Sequence, residues 1–444
     1  MPERIDAGAT AWLLASTALV LLMTPGLALF YGGMVRAKST LNMIMMSLVS
    51  IALVTLVWLV AGYSLAFGDD VRGLGLIGDL DHLGLAGLTP DTAHGHVPAL
   101  LFATFQLTFA ILTAALISGA VADRARFSAW MVFVPVWALL VYVPIAHWVW
   151  GGGWIQDLGA LDYAGGLVVE IASGASGLAM ALVLGPRIGF RKEAMRPHNL
   201  PMVLLGVGLL WFGWFGFNAG SALAADGTAA AVFLNTLVAG CTGLLGWLLV
   251  EQRRDGSPTT FGAASGAVAG LVAITPSCGS VNVLGAVAVG LAAGVVCSYA
   301  VGWKLRLGYD DSLDVVGVHL VGGIVGTMLI GLLAARMMTG GPEGLLLGGG
   351  LAQLGRQAVA VPVVGLYAFT VTYGLAKLID KAMGFRVSAE DETSGIDLAL
   401  HAETAYEHGV LGHATPLGPP APLGSPAPFP PHSTQAQIPP STRQ

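Results

Sequence analysis

Charged side chains are scarce in this chain, and their scarcity excludes most classes of soluble protein. Asp, Glu, Lys and Arg make up 10% of the 444 residues, while hydrophobic residues make up 55%. Soluble domains contain about 25% charged residues, and a water-soluble fold could not hide so many apolar side chains. With a mean hydropathy of +0.75, the composition predicts a polytopic membrane protein.

Basic residues and cysteines are also few. The chain has 20 Lys and Arg against 26 Asp and Glu, a net charge of -6, so it offers no basic surface for nucleic acid. Cys241, Cys278 and Cys297 lie in or beside apolar segments without metal-type spacing, which indicates packing residues. No pattern indicates haem, quinone or iron–sulfur ligation, so we expect no cofactor and disfavour an enzyme. The N-terminus lacks a basic stretch, so we expect the first apolar run to be retained.

Long apolar runs dominate the sequence instead. A bilayer core about 30 Å thick requires about 20 apolar residues per helix, and by this measure the chain is an all-α protein with eleven transmembrane helices. The eighth is the weakest, because it is short and rich in glycine. The predicted spans are 10–33, 41–67, 98–122, 127–149, 164–185, 200–220, 227–250, 259–275, 281–303, 313–335 and 355–381.

Lysine and arginine are unevenly divided between the two alternating sets of loops. Cytoplasmic loops carry an excess of these residues, so the richer set is predicted to be cytoplasmic. The N-terminus is then outside and the C-terminus inside, as an odd number of spans requires. The richer set contains Arg36, Lys38, Arg124, Arg126, Arg187, Arg191, Lys192, Arg196, Arg253, Arg254, Lys304 and Arg306.

Two segments of the chain resemble each other. GGLVVEIASGASG contains Glu170 and VVGVHLVGGIVG contains His319, and in both the ionisable residue is followed by glycine at the fourth and seventh positions. The two segments are five spans apart, and an odd offset turns the second unit upside down. We therefore predict two inverted five-helix repeats with a substrate path near the midplane between them. The membrane domain, 1–383, would comprise repeats at about 10–185 and 200–335 and an extra helix at about 355–381.

Glu170 and His319 are ionisable residues within predicted spans. Such a residue at the centre of a membrane helix costs about 2.5–3.5 kcal/mol on insertion scales, so each is expected to face a partner or a water-filled path. In one interpretation Glu170 is a structural anchor for a neighbouring helix. The matching histidine favours another interpretation, in which the two side chains meet and share a proton.

Acidic residues also stand near the start of both of these helices. Asp162 could cap the fifth helix or favour a cation nearby. Asp310, Asp311 and Asp314 precede the tenth helix. Because a helix N-terminus favours acids, we expect at least two of these three to be caps.

Aromatic residues cluster toward the ends of several predicted helices. Phe105 and Phe109 are one turn apart in the third helix, and GWFGFNAGS in the sixth contains Phe217 and Ser221. Aromatic faces beside a hydroxyl suit a small cation. Trp150, at the outer end of the fourth helix, is of the kind that usually anchors a helix at the membrane interface.

The chain changes character after about residue 384. We interpret 384–414 as a regulatory segment docked on the cytoplasmic face through a short helix, and 415–444, which is rich in proline, as a disordered tail. His401, His408 and His413 are irregularly spaced, so we expect solvated histidines there and no metal cluster.

Several stretches of the sequence resemble the family of ammonium transporters, methylammonium permeases and Rhesus proteins. The stretches that carry the resemblance are, in order, MTPGLALFYGGMVRAK, RARFSA, PIAHWVWGGG, GALDYAGG, HNLPMV, GWFGFNAGS, DVVGVH and IDLALHAETAY, within about residues 10–407. The resemblance implies eleven helices in two inverted halves, assembled as a homotrimer with one pore per subunit. It also implies ammonium transport across the plasma (inner) membrane.

The resemblance further implies roles for particular residues. The outer site that binds ammonium would consist of Phe109, Trp150, Ser221 and Asp162. The gate below it would consist of Phe109, Phe217 and Phe105. The apolar pore would be lined by Leu27, Leu210, Trp214 and Val315, with Glu170 and His319 at its centre as the proton relay.

One central position departs from the commoner pattern of the family, which has histidine at both. Glutamate at the first position resembles some fungal members, and it replaces an imidazole-to-imidazole relay by one between carboxylate and imidazole. We expect ammonium to lose a proton near Ser221 and Asp162 and to cross as ammonia, while the proton passes Glu170 and His319 separately.

Two further expectations concern partners and an alternative function. Many bacterial members are blocked by a trimeric PII signalling protein at the inner vestibule, and 384–406 resembles the tail segment involved, so a PII protein is an expected partner beside membrane lipid. The alternative function is an ammonium sensor of the same fold that signals through its C-terminal tail. Conduction of carbon dioxide or urea is a minor alternative.

Overall fold

The computed structural model describes residues 4–406, which form a bundle of long helices. The prediction of eleven transmembrane helices is confirmed, and most ends differ from the predicted ones by a few residues. The membrane helices are α1 (Ala7–Met34), α2 (Ala37–Phe67), α3 (Ala99–Val121), α4 (Phe127–Leu158), α5 (Gly166–Leu184), α6 (Leu200–Gly220), α7 (Gly227–Arg254), α8 (Thr260–Ser277), α9 (Val283–Leu307), α10 (Val316–Leu333) and α11 (Ala352–Met383). Two short helices follow, α12 (Ala389–Ser394) and α13 (Ile396–His401).

The eighth span, the weakest in the sequence, is one of the most enclosed helices in the structure. Its glycines allow backbone contact with α7, because small residues let membrane helices approach closely. A Cβ added to Gly270 would lie 2.2 Å from the carbonyl oxygen of Ala239, and one added to Gly266 would lie 2.5 Å from Cβ of Trp247. Low hydropathy in α8 therefore reflects tight packing between helices.

Four of the membrane helices contain a π-helical turn. Such turns are rare and often occur at functional sites. They lie at Trp58–Gly62 in α2, Ala138–Tyr142 in α4, Gly166–Ile171 in α5 and Val316–Leu320 in α10. The last two carry Glu170 and His319, so both residues sit where the helix is locally widened.

A buried layer of charge lies at the ends of the helices where the basic loops are found. Arg187 holds Asp310 through side-chain contacts of 2.8 and 2.9 Å, and its backbone N–H donates to the same carboxylate at 2.8 Å. Arg124 is completely buried and donates to the Asp310 carbonyl at 2.6 Å. Burial alone would raise the pKa of Asp310, but the Arg187 hydrogen bonds and the charges of both arginines outweigh it and hold that pKa below its ordinary value.

The prediction that at least two of the three aspartates before α10 are caps is wrong. Only Asp311 accepts hydrogen bonds from the first turn of the helix, at 3.1 Å from Val315 and 2.7 Å from Val316. Asp310 is occupied by Arg187, and Asp314 pairs with Lys304 at 2.6 Å. Nearby cations outcompete the helix N-terminus for these two carboxylates.

The segment after α11 packs against the same ends of the helices. The carboxylate of Asp397 accepts the backbone N–H groups of Leu41 and Asn42 at 2.9 and 2.8 Å, which caps the start of α2. Glu392 accepts from the backbone of Ile188 at 2.6 Å. The segment thus docks through two short helices, where the sequence indicated one.

His401 is not a solvated histidine, and that expectation is wrong. Its Nε2 lies 3.0 Å from Oδ1 of Asn42 and its ring packs edge-on against Phe127. His408 and His413 lie outside the described residues, as do the tail at 415–444 and the end of the segment predicted at 384–414.

Candidate substrate pathway

A cavity of about 380 Å³ lies at the helix ends opposite the basic loops. Its wall includes Phe109, Trp150, Asp162 and Ser221, which are the four residues expected at an outer site, and also Phe105. These side chains come from α3, α4, the residue after α6 and the loop before α5. The fold therefore brings together residues that are more than a hundred positions apart in the sequence.

Asp162 organises one wall of this cavity by capping α5. Its carboxylate accepts the backbone N–H groups of four successive residues, Gly165 to Val168, at 2.6–3.3 Å. Burial raises the pKa of Asp162, and these hydrogen bonds act in the opposite direction. Because both oxygens are engaged by the helix, the carboxylate contributes negative charge near the cavity without a free oxygen as ligand.

Trp150 is fixed by the same loop. Its indole N–H donates to the carbonyl oxygen of Asp162 at 2.9 Å, so the polar edge of the ring is satisfied inside the protein. The ring itself contributes apolar and π surface to the cavity wall, and the face of an indole is the part that attracts a cation. Trp150 is therefore part of the cavity wall.

Two stacked phenylalanines lie beside the cavity, and one of them, Phe109, is part of its wall. The rings of Phe109 and Phe217 are 4.1 Å apart at 20°, and Phe105 meets Phe109 edge-on at 4.9 Å. All three side chains are almost completely buried. A hydrated ion cannot pass this stack unless the rings move, because the stacked rings leave no space for a water molecule between them.

Ser221 stands at the rim of this aromatic stack. Its hydroxyl donates to the carbonyl of Phe217, one turn earlier, at 2.9 Å. With its proton used in this way, the oxygen presents its lone pairs to the cavity. A donor such as an ammonium N–H group can use them.

A second, much smaller cavity lies further in. Its volume of about 10 Å³ is about the room that one water molecule requires. Three of the four residues expected to line the pore, Leu27, Leu210 and Trp214, line it together with Glu170 and His319. The fourth, Val315, is not in this lining and packs against Gly177, where an added Cβ would lie 3.1 Å from it.

Glu170 and His319 meet at this inner cavity. Oε2 of the glutamate is 2.6 Å from Nδ1 of the histidine, and both side chains are nearly completely enclosed. At this distance one of the two atoms must carry a hydrogen and the other must offer a lone pair, so one proton lies between them. Either the imidazole N–H donates to the carboxylate or the carboxyl O–H donates to the imidazole.

The two helices that carry this pair are packed in a reciprocal way. A Cβ added to Gly174 of α5 would lie 2.4 Å from the backbone nitrogen of Leu320, the residue after His319. One added to Gly323 of α10 would lie 2.9 Å from Cβ of Glu170. Each glycine, four residues after an ionisable residue, thus makes room for the other helix.

The capping aspartates extend this correspondence, which the sequence analysis missed. Asp162 stands eight residues before Glu170, and Asp311 stands eight residues before His319. Both carboxylates accept N–H groups of the π-helical turn that follows. The shared spacing of eight residues could have predicted that Asp311 caps α10. Asp310 and Asp314 are close to Asp311 in the sequence, however, so the spacing alone did not identify the capping residue.

Gln106 is a further residue of the outer cavity wall that was not singled out. Its side chain is about nine-tenths buried, and its Oε1 has no hydrogen-bond partner within the described chain. It lies in α3 between Phe105 and Phe109. An uncharged amide in an apolar helix carries no sequence signal comparable to that of Glu170.

Comparison with known proteins places this architecture in a well-defined group. The sequence model of the Ammonium Transporter Family matches residues 11–406. An ammonium transporter of Mycobacterium tuberculosis is 54% identical over 439 residues, covering 91% of each chain, and one of Bacillus subtilis is 47% identical over 407 residues, covering 91% of this chain and 99% of its own.

Solved structures give the same result. Saccharomyces cerevisiae Mep2 is 37% identical, with a TM-score of 0.82 over 87% of this chain and 89% of its own. A protein described as a sensor Amt protein is 30% identical, with a TM-score of 0.82 over 88% of this chain and 98% of its own.

Proposed function

This chain belongs to the ammonium transporter family, and we propose that it moves ammonium through the membrane as ammonia and a separate proton. The contact between Glu170 and His319 carries this proposal: a proton-sharing pair stands beside a cavity that is large enough for one small molecule and otherwise apolar. The apolar lining of the cavity favours a neutral molecule such as ammonia, and the Glu170–His319 pair can hold a proton.

Magnitudes favour loss of the proton before passage. Moving a bare ion from water into a medium of low dielectric constant costs of order 20 kcal/mol in the Born limit. A desolvated cation–π contact returns about 2 kcal/mol. The aromatic residues can therefore collect ammonium at the entrance but cannot carry it through. Ammonia avoids most of this cost, and potassium has no proton to lose.

The proposed sequence of events begins in the outer cavity. Ammonium binds among Phe109, Trp150 and Ser221, with the charge of Asp162 nearby. It gives up its proton there to a water molecule, for which the cavity of about 380 Å³ has room, and ammonia passes the gate of Phe109 and Phe217 beside Phe105. Ammonia then crosses the pore at Leu27, Leu210, Trp214 and Val315. The proton crosses separately by way of Glu170 and His319.

Uptake by reconstituted protein tests this function. Liposomes containing the full chain should take up ammonium in a saturable way and should take up rubidium, a proton-free analogue of potassium, no faster than empty liposomes. Rubidium uptake at a rate similar to that of ammonium would contradict the proposal. Growth of a transporter-deficient strain on low ammonium gives an independent check.

A sensor function is the second candidate, because one structural neighbour is described as a sensor Amt protein. A sensor would bind ammonium without supporting such growth.

For the transporter, we propose location in the plasma (inner) membrane with the N-terminus outside and the C-terminus in the cytoplasm, and assembly as a homotrimer. We also propose that residues 384–414 form a regulatory segment after the membrane domain (1–383) and take part in contact with a PII protein.

A further inference from the structure

The loop between α4 and α5 forms part of the outer cavity but has no regular structure of its own. Ala160, Leu161, Asp162 and Tyr163 all line the cavity. A wall made from irregular backbone needs partners for its N–H and C=O groups where water is excluded. The partners of Leu161 come from α11, the helix outside the two predicted repeats.

One buried glutamine of α11 holds both polar groups of the Leu161 backbone. Oε1 of Gln357 accepts the N–H of Leu161 at 2.8 Å, and Nε2 donates to its carbonyl at 2.7 Å. The same amide accepts from Nε2 of Gln353 at 3.1 Å and donates to the carbonyl of Thr327 in α10 at 3.3 Å. Gln357 is completely buried, and its two acceptor and two donor positions are all in use.

Asp162, the next residue along the loop, connects the position of Leu161 to the wall of the outer cavity. The carbonyl of Asp162 accepts the indole N–H of Trp150 at 2.9 Å, and its carboxylate caps α5. Leu161 and Asp162 share a peptide bond, so a shift of one moves the other. The indole orientation and the cavity wall therefore depend on the hydrogen bonds between Gln357 and Leu161.

We propose that Gln357 is a positioning residue that sets the affinity of the outer cavity for ammonium. This inference rests on the function proposed above. The Glu170–His319 pair has separate support from its own 2.6 Å contact and from the packing of Gly323. Loss of the amide therefore weakens ammonium binding in the outer cavity and leaves the maximal rate nearly unchanged.

Removal of the amide has a defined structural consequence. Leucine at position 357 fills a similar volume but leaves the N–H and C=O of Leu161 unpaired, which is unfavourable for buried backbone groups. The loop then relaxes toward the cavity, where water can reach these groups. Trp150 loses its fixed acceptor in the same movement.

The test is ammonium uptake by liposomes containing the full chain, measured over a range of concentrations. Gln357→Leu should raise the half-saturating concentration about tenfold, which corresponds to a weakening of ammonium binding by about 1.4 kcal/mol, with the maximal rate largely retained. Thr372→Val is the matched control, because Thr372 is a buried polar residue of α11 that contacts Trp137 and Ser176 and not the loop. It should leave the half-saturating concentration unchanged.

Hydrogen exchange gives a readout of position that does not depend on transport. Peptides that contain Leu161 should exchange faster in Gln357→Leu than in the wild-type chain, and Thr372→Val should not change them. If Gln357→Leu does not fold, Gln357→Glu takes its place, because it keeps the size and the acceptor but loses both donor positions when ionised. It should shift both readouts in the same direction.

The outcomes separate this inference from the function on which it rests. A folded Gln357 variant with the wild-type half-saturating concentration overturns the inference, and so does a loss confined to the maximal rate. A wild-type chain without saturable ammonium uptake overturns the proposed function, and the inference falls with it.

Discussion

The contact between Glu170 and His319 shows what a single pair of side chains contributes to the proposed pathway. A carboxylate and an imidazole at 2.6 Å have room for one proton between them, and in the proposed mechanism they pass it on. Two apolar residues at these positions would leave a cavity suited to ammonia but with no route for the proton. In the proposed mechanism, the proton therefore depends on this pair, and ammonia on the apolar part of the same cavity wall.

Ser221 provides a test of the outer cavity. Replacing it by alanine removes one neutral acceptor, worth about 0.5–1.5 kcal/mol, so we predict a rise in the half-saturating ammonium concentration of about two- to tenfold. Thr104→Val is the control, since its hydroxyl also bonds the carbonyl one turn earlier but its side chain is exposed on α3. Equal half-saturating concentrations in the two variants would contradict the proposal that Ser221 binds ammonium.

Asp310 gives a prediction about stability and pH. Its pKa in the folded chain lies below its ordinary value of about 3.9, so its stabilising effect is complete above that value and is lost as the pH falls through the folded pKa. Asp310→Asn should lower the thermal stability of the purified protein at pH 7, by about 3–5 kcal/mol for a broken buried pair. It should also weaken the loss of stability that occurs as the pH falls below about 4.

The control for this measurement is Asp255→Asn. Asp255 pairs with Arg254 at 2.8 Å, but both side chains are more than 40% exposed, and exposed pairs contribute about 0–1 kcal/mol. Its thermal unfolding should be close to that of the wild-type chain both at pH 7 and at acidic pH. Equal effects of the two substitutions would show that Arg187 does not stabilise the fold through Asp310.

At the scale of elements, the approach of α5 and α10 determines whether the central pair can form. Each helix contributes a glycine at the point of closest contact and a π-helical turn that widens the helix at the ionisable residue. A side chain at either glycine would push the helices apart. The separation of Glu170 and His319 would then exceed hydrogen-bonding distance.

Gly174 tests this packing directly. Gly174→Ala should lower thermal stability by about 1–3 kcal/mol, the range for overpacking a core, because the new methyl group meets backbone atoms of Leu320. Gly374→Ala in α11 is the matched control: nothing lies within 4 Å of its added Cβ, and alanine is the better helix former. A Gly174 variant as stable as the Gly374 variant would contradict the close contact.

The sequence was informative about elements and less so about their contacts. Apolar runs predict the eleven spans because the bilayer demands a fixed length, and the glycine spacing around Glu170 and His319 predicts a pair that the structure places in contact. The π-helical turns have no compositional signal. The roles of Asp310 and Gln357 depend on Arg187 and Leu161, which are distant in sequence and reached only in the folded chain.

At the scale of the whole molecule, two cavities with polar groups in their walls lie within an apolar bundle. The outer cavity, the phenylalanine stack and the inner cavity follow one another between α1, α3, α5, α6 and α10. A charged layer and the docked segment with α12 and α13 lie at the ends of the helices that carry the basic loops. The inverted relation of the two halves, the trimer and the orientation in the membrane stay predictions.

Electrical current on addition of ammonium tests the central claim most directly. Liposomes with the full chain, adsorbed on a solid-supported membrane, should give a current with ammonium and none with potassium. Glu170→Gln, which keeps the size but cannot take up a proton, should reduce that current at least about tenfold, while Gly374→Ala should retain it. Undiminished current in Glu170→Gln, or ammonia flux without current in the wild-type chain, would contradict a proton pathway through this pair.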